Sequence, residues 1–244
     1  MVSDSAKSNG SIGERIVAVQ DKWHTKNHPF FGKLAEGALD LPSMGNYMAQ
    51  HYKFVEMVLP SMGLLLWRAP EDIRGAMIEN LAEEAGMAED RNDHMEMIFR
   101  FCKAVGFGED KVRTTQPTAA WWARALHYVH CCREEPLGVA LAMQSTQEGQ
   151  QVALNEEITL PAFQAHYGYQ LDDPAIAFFA LHAVADVEHS GRQLELAVKY
   201  LEPPEFERAL EVCEVGCRLR WDSITEIYRS DVLGEDPIQP PGVG

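Results

Sequence analysis

The chain has 244 residues, a formal net charge of −16 at pH 7 and 46% hydrophobic residues. This length suits one domain whose core is large enough to enclose a polar site. A nucleic-acid-binding protein would carry a basic face, which this acidic composition disfavours. No run approaches the roughly 20 apolar residues of a membrane-spanning helix, and the first residues lack the apolar stretch of a signal peptide. The composition predicts a cytoplasmic protein that binds neither membranes nor nucleic acid.

The predicted elements are helices almost throughout, each set off by Pro, Gly or acidic residues. A kink is expected at Pro60, and an irregularity is expected near Gly86. Helices are predicted over residues 12–26, 30–37, 41–59, 69–105, 119–133, 135–158, 172–201 and 203–229.

Neither an alternating strand pattern nor an internal repeat is present in the sequence. Several of the predicted helices are long, which is typical of an all-α bundle that carries its site in the core. The fold prediction is a single all-α domain over residues 11–231, between flexible ends at 1–10 and 232–244.

The most informative motif lies in the predicted helix 172–201. His182, Asp186 and His189 follow one another at offsets of four and three residues within an apolar segment. These offsets place all three side chains on one face of an α-helix. Two imidazoles and a carboxylate are suitable ligands for a transition metal such as iron or manganese.

Other helices offer further candidate ligands. A carboxylate buried in an apolar helix needs a cation or a metal as its partner, since burying it alone costs several kcal/mol. The candidates are Glu56, Glu83, Glu84, His94 and Glu148.

Ordinary roles compete with metal binding at these positions. Glu56 could pair with Lys53 one turn away, Glu148 could be solvent-exposed among glutamines, and His94 could lie on an acidic surface turn. The choice between Glu83 and Glu84 also stays open. A continuous helix would bring Glu83 nearer to the face of His94, whereas a break at Gly86 would remove that argument.

The order of these residues resembles the heme-oxygenase-like diiron oxidases and oxygenases. The shared pattern is a Glu-x-Gly turn followed by a histidine, a mid-helix glutamate and the late His-x-x-x-Asp-x-x-His motif. A ferritin-like site fits less well, because it needs two Glu-x-x-His motifs and Arg91 stands at the matching position before His94. The resemblance covers about residues 12–230, and TenA thiaminases and pyrroloquinoline-quinone synthases share that helical fold.

The resemblance implies a fold, a cofactor and a ligand set. It implies a heme-oxygenase-like helical bundle that binds two Fe(II) ions and uses O2 as cosubstrate. Glu84 is favoured over Glu83 because Glu84-Ala85-Gly86 matches the Glu-x-Gly pattern. The implied iron ligands are Glu84, His94, Glu148, His182, Asp186 and His189, with Glu56 as the extra carboxylate of N-oxygenating members.

The expected reaction is the oxidation of a small, amino-acid-derived metabolite in a biosynthetic pathway. N-oxygenation, oxidative C–C cleavage or decarboxylation, and C–H desaturation all occur in such enzymes, and Glu56 favours the first. Residues 150–160 contain no lysine, which disfavours the aminobenzoate-forming branch, because that branch uses a lysine after the mid-helix glutamate. An external electron donor and a homodimer are compatible with this interpretation.

Substrate-binding residues are only weakly marked in the sequence. Arg192 could bind a substrate carboxylate or form an ordinary surface salt bridge. Several aromatic and histidine side chains could line a pocket or fill the core. They are Tyr47, His51, Tyr52, Trp121, Trp122 and Tyr128.

The sequence is also compatible with other classes of function. The five cysteines are an odd number without zinc-type pairs, which predicts buried thiols in a reducing compartment. A metal-free TenA-like hydrolase could use Cys131 or Cys132 as its nucleophile. A cofactorless oxidase of the pyrroloquinoline-quinone synthase type or a non-catalytic helical interaction protein would also fit the helical pattern.

Overall fold

Helices account for the regular structure of the chain in the computed structural model, which describes residues 10–87 and 93–235. Within that part, the side chains of residues 184–190 lie outside the description. The only β contact among the described residues is an isolated bridge between Ala85 and Asp93, so the all-α prediction is confirmed. The helices are α1 Ile12–Lys22, α2 Pro29–Ala35, α3 Leu41–Val58, α4 Met62–Arg68, α5 Glu71–Glu84, α6 His94–Ala104, α7 Glu109–Thr114, α8 Ala119–Glu134, α9 Leu137–Leu154, α10 Leu160–His166, α11 Ala177–Tyr200 and α12 Phe206–Ile227.

The helix predicted over residues 69–105 is in fact two helices, and that prediction is wrong. Helix α5 ends at Glu84, and Gly86 then adopts a left-handed φ of 64°. A Cβ atom at Gly86 would lie 2.8 Å from the backbone of Asp93, so only glycine fits this close approach. The Asp93 side chain accepts hydrogen bonds from two backbone N–H groups in the first turn of α6. A glycine stop and an aspartate N-cap therefore separate α5 from α6.

Smaller differences concern helix ends. Helix α1 stops at Lys22, because the His24 imidazole accepts a hydrogen bond from a backbone N–H of the following 3₁₀ turn, Thr25–Asn27. The expected irregularity at Pro60 is a 3₁₀ turn, Leu59–Ser61, between α3 and α4. Helix α7 was not predicted, and the predicted helix 135–158 continues through a π-helical turn, Asn155–Thr159, into α10.

Helix α9 is the central element of the bundle. It packs along α11 and α12, and most of its residues are buried, including the polar ones. At its start, Gly138 allows close contact with the end of α11, because a Cβ atom there would lie 2.6 Å from the Leu201 backbone nitrogen. A helix buried on all sides must satisfy any polar residue from its neighbours or from a ligand. No helix in the described part of the chain is long and apolar enough to cross a membrane.

Candidate metal centre

Three predicted ligands meet where α5, α6 and α11 approach one another. Glu84 is the last residue of α5, His94 is the first of α6, and His182 lies in α11. One ligand atom from each lies within 4.8 Å of the other two, and we call these residues the ligand cluster. His94 Nδ1 is 2.6 Å from Glu84 Oε2, and the two imidazole rings are 4.6 Å apart between centroids. Two imidazoles and a carboxylate at this spacing form a donor set that suits a first-row transition metal.

The ring of His182 is held in a defined orientation. Its Nδ1 is 2.6 Å from the backbone oxygen of Phe178, and because a carbonyl only accepts, Nδ1 must carry the proton. The lone pair then resides on Nε2. The Phe178 ring packs against the imidazole with centroids 4.1 Å apart. A hydrogen bond from the second ring nitrogen to a carbonyl is a common way to orient a metal-binding histidine.

His94 lies in a setting that favours a positive charge. Burial lowers the pKa of His94, but the hydrogen bond and the negative charge of Glu84, together with the charges of Asp93 and Glu83, outweigh that effect, so the net shift of the pKa is upward. Protons and a metal ion therefore compete for this imidazole.

Glu148, on α9, lines the same cavity as the ligand cluster, and the volume of that cavity is about 110 Å³. Its Oε2 is buried and has no hydrogen-bond partner among the described residues. Burial raises the pKa of Glu148 to about 7, the Gln193 amide opposes the shift, and the charge of Glu84 adds to it. A metal ion at this position would satisfy the buried oxygen and stabilise the ionised carboxylate. The residues around the cavity therefore fit a bound metal.

The remaining predicted ligands are placed differently. Asp186 and His189 lie in helix α11, but the structure does not describe their side chains. Glu83 is half-buried beside Glu84 and lies outside the ligand cluster. Glu56 is solvent-exposed and 3.0 Å from Lys53 Nζ, so the structure does not bring it to the cavity.

The predicted pocket residues divide into three groups. His51 and Tyr128 line the cavity. Trp122 is exposed. The other aromatic candidates, Tyr47, Tyr52 and Trp121, are buried in the hydrophobic core.

The arginines of the cavity were missed by sequence reasoning. Arg192, the arginine singled out there, forms a surface ion pair with Glu79 at 2.7 Å. Arg124 and Arg220 instead line the cavity, and both are buried. The available signal was the apolar surroundings of Arg124, which stands between two alanines in the aromatic-rich helix α8.

The buried thiols argue against a cysteine nucleophile. Cys131 and Cys132 are fully buried, and neither lines the cavity. Burial raises the pKa of Cys131 to about 12 and that of Cys132 to about 11. A nucleophilic cysteine needs an accessible thiolate, which these two positions do not provide. The thiol-hydrolase alternative is not supported.

The chain is similar to curated enzymes and to a solved structure over most of its length. It is 20% identical to a 4-aminobenzoate synthase of Chlamydia muridarum, covering 81% of this chain and 82% of the relative. It is 22% identical to a 4-aminobenzoate synthase of Nitrosomonas europaea, covering 94% of this chain and 97% of the relative. A domain of unknown function with a heme oxygenase-like fold from Shewanella denitrificans superposes with a TM-score of 0.74 at 16% identity, covering 91% of this chain and 92% of the other.

A sequence profile described as an iron-containing redox enzyme matches residues 46–222, which is more than half of the chain. The matched range contains the whole ligand cluster, Glu148 and both cavity arginines. The predicted heme-oxygenase-like fold and the predicted oxidoreductase class are thereby confirmed. The chain belongs to the family of iron-containing redox enzymes.

Proposed function

We propose that the chain is a non-heme diiron oxidase or oxygenase that uses O2 to oxidise a small, amino-acid-derived metabolite. The observation that carries the proposal is the meeting of the ligand cluster with Glu148 on the wall of one cavity. Glu148 Oε2 is buried without a hydrogen-bond partner among the described residues, which a cofactorless oxidase would not need, whereas a metal ion would bind it.

The proposed ligands to iron are the ligand cluster and Glu148, together with Asp186 and His189. Iron, when bound, supplies the redox chemistry. The protein holds the His182 ring through the Phe178 carbonyl and places Glu84 against His94. Both histidines are buried, so the chain also limits the access of water to the site.

The described residues do not distinguish between the classes of oxidation. Glu56 was the reason to favour N-oxygenation, and its pairing with Lys53 on the surface removes that support. N-oxygenation, oxidative C–C cleavage or decarboxylation, and C–H desaturation all remain within the proposal.

A second candidate is the formation of 4-aminobenzoate, which the names of the two relatives favour. The absence of a lysine from residues 150–160 weighs against the aminobenzoate-forming branch. Complementation of a bacterial strain that requires 4-aminobenzoate tests this candidate. Growth without added 4-aminobenzoate would support it, and failure of the well-expressed protein to restore growth would eliminate it.

Iron stoichiometry and oxygen consumption test the main proposal. The purified chain, titrated anaerobically with Fe(II), is expected to bind about two irons and then to consume O2. His182→Ala should lower the iron content, while His166→Ala, which removes an exposed histidine of α10, should leave it unchanged. A wild-type protein that binds no iron, or a His182→Ala variant with full iron content, would contradict the proposal.

A further inference from the structure

The cavity that contains the ligand cluster also contains two buried arginines. Arg124 on α8 is 5% exposed, and Arg220 on α12 is 4% exposed. Arginine is rarely this buried unless it is paired, because the guanidinium stays charged and loses its hydration. The partners of each guanidinium group therefore indicate what the cavity can bind.

The two guanidinium groups have different partners. Arg220 donates to the backbone oxygen of Gln147 and, at 2.7 Å, to Gln151 Oε1. Arg124 reaches Gln147 Oε1 only at a long 3.4 Å. Its guanidinium carbon also lies 4.0 Å from the centroid of the Phe54 ring and 5.2 Å from that of Trp121. Arg124 forms no ion pair with a carboxylate of any described residue.

The direction of the pKa shift of Arg124 agrees with weak compensation of its charge by the described residues. Burial lowers the pKa of Arg124 to about 9, and the positive charge of Arg220 adds to the shift. A stacked aromatic ring stabilises a cation by less than an ion pair with a carboxylate does. An anion brought into the cavity would therefore find a guanidinium that has no partner of opposite charge among the described residues.

Neighbouring polar atoms are also available for hydrogen bonds. Gln147 Nε2 and His51 Nδ1 are buried, and neither has a hydrogen-bond partner among the described residues. Both side chains line the cavity. A carboxylate has two acceptor oxygens, so it can accept from a guanidinium and from an amide or imidazole N–H together.

His51 connects this polar region to the ligand cluster. Burial lowers the pKa of His51 well below its usual value, and the charges of Arg124, Arg220, His182 and His94 all lower it further. The centroid of its ring lies 6.2 Å from that of Phe54, over which Arg124 stacks. It lies 5.6 Å from that of Phe178, whose ring packs against His182. A ligand bound at Arg124 therefore lies within a short distance of the proposed metal centre.

Much of the remaining wall is apolar, although Asn80 and Tyr128 add polar atoms to it. Val55, Val58, Leu59 and Met62 line the cavity together with the ring of Phe54. These side chains cannot solvate a second charged group, and they favour a hydrocarbon or aromatic body. The cavity volume of about 110 Å³ restricts that body to a small size.

We propose that Arg124, supported by Arg220, binds the carboxylate of a small carboxylic acid whose apolar or aromatic body extends along the cavity toward the ligand cluster. The proposal rests on the proposed function only in taking this acid to be the molecule that is oxidised.

Calorimetric titration with matched acids and amides tests this assignment. The probes are phenylacetate, 3-phenylpropionate and hexanoate, each compared with its primary amide, on the full chain in metal-free and anaerobically iron-loaded form. The acid of at least one pair is expected to bind about tenfold or more tightly than its amide in both forms, as for a charge-assisted hydrogen bond. Arg124→Met should reduce this preference to near parity, and Arg124→Lys should keep part of it.

The control is Arg192→Met, which removes an arginine paired with Glu79 on the surface and should leave the preference unchanged. Equal binding of acids and amides by the wild type, or no binding at millimolar concentration, would overturn the proposal. A preference seen only in the iron-loaded form would also overturn it, because the carboxylate would then bind the metal.

The iron content of Arg124→Met separates this proposal from the proposed function. It is expected to equal that of the wild type, since Arg124 lies outside the ligand cluster. The wild-type chain could prefer acids through Arg124 and yet bind no iron. That result would support carboxylate binding at Arg124 and refute the diiron centre. If Arg124→Met does not fold, two measurements still test the proposal. They are the preference of the wild type for acids over amides and the part of that preference that Arg124→Lys keeps.

Discussion

The buried carboxyl group of Glu148 should make the metal-free protein less stable as the pH rises. The pKa of Glu148 is raised by burial from 4.5 to about 7. In the unfolded chain the group ionises at its usual pKa, so between these two values the folded state binds more protons, and stability falls with increasing pH. Each unit of pKa corresponds to about 1.4 kcal/mol, so the cost reaches about 3 kcal/mol above the folded pKa.

The substitution Glu148→Gln removes this cost because the amide does not ionise. Measured by urea unfolding of the metal-free protein, the variant should gain about 3 kcal/mol on the wild type at about pH 8 and less than about 1 kcal/mol at about pH 5. Any packing penalty of the amide is the same at both pH values. The difference between the stability gains at the two pH values therefore reports the ionisation of Glu148. The variant should also bind less iron than the wild type, because it loses a proposed ligand.

Glu157→Gln is the matched control, since Glu157 lies further along the same run of helix, exposed and paired with Lys26. Its effect on stability should stay within about 1 kcal/mol and show no comparable trend with pH. A Glu148→Gln variant whose stability relative to wild type does not change between the two pH values would refute the argument that Glu148 is desolvated.

Three further predictions concern the centre and its surroundings. Burial lowers the pKa of His94, but the neighbouring acids, Glu84 foremost, raise it further, so the net shift is upward. Protons should therefore compete with Fe(II) for this imidazole, and the affinity for Fe(II) should fall as the pH is lowered from about 8 to about 6. A competition titration that gives equal affinities at these two pH values would contradict this prediction. Gly86→Ala should destabilise the protein to urea by more than the roughly 1–2 kcal/mol of a left-handed residue, because its Cβ would meet backbone at 2.8 Å. Gly106→Ala, at a φ of 78° with open space, is its control, and equal losses would refute the close-approach argument. The buried Cys131 and Cys132 should react with a thiol reagent only after unfolding, and fast labelling of either in the native protein would contradict their burial.

The ligand cluster illustrates how much of a site is visible in a sequence. Glu84 and His94 were selected by a Glu-x-Gly turn and a following histidine, and the structure brings both to His182. The reason why they meet was not visible. Helical periodicity across residues 69–105 favoured Glu83, and only the turn at Gly86, held against Asp93, brings Glu84 to His94.

Charged side chains on helices were the least predictable part. Glu56 and Glu148 both stand in largely apolar helices, yet Glu56 projects to solvent beside Lys53 while Glu148 lines the cavity. Arg192 was singled out because it follows the ligand motif, whereas Arg124 was passed over. Each outcome depends on how a helix is rotated against its neighbours, and the residues of that helix alone do not specify the rotation.

The sequence by itself determined the all-α class, most of the breaks between helices and the ligand types available, because capping, proline and periodicity act within one or two helical turns. Tertiary structure alone decided which charges are buried and which of them share a cavity. That decision arises from the packing of α3, α8, α9, α11 and α12 around one space, which brings together residues far apart in the chain. Burial then turns ordinary glutamates and arginines into groups that need a partner, and for Glu148 and Arg124 we propose that these partners are a metal ion and a carboxylate.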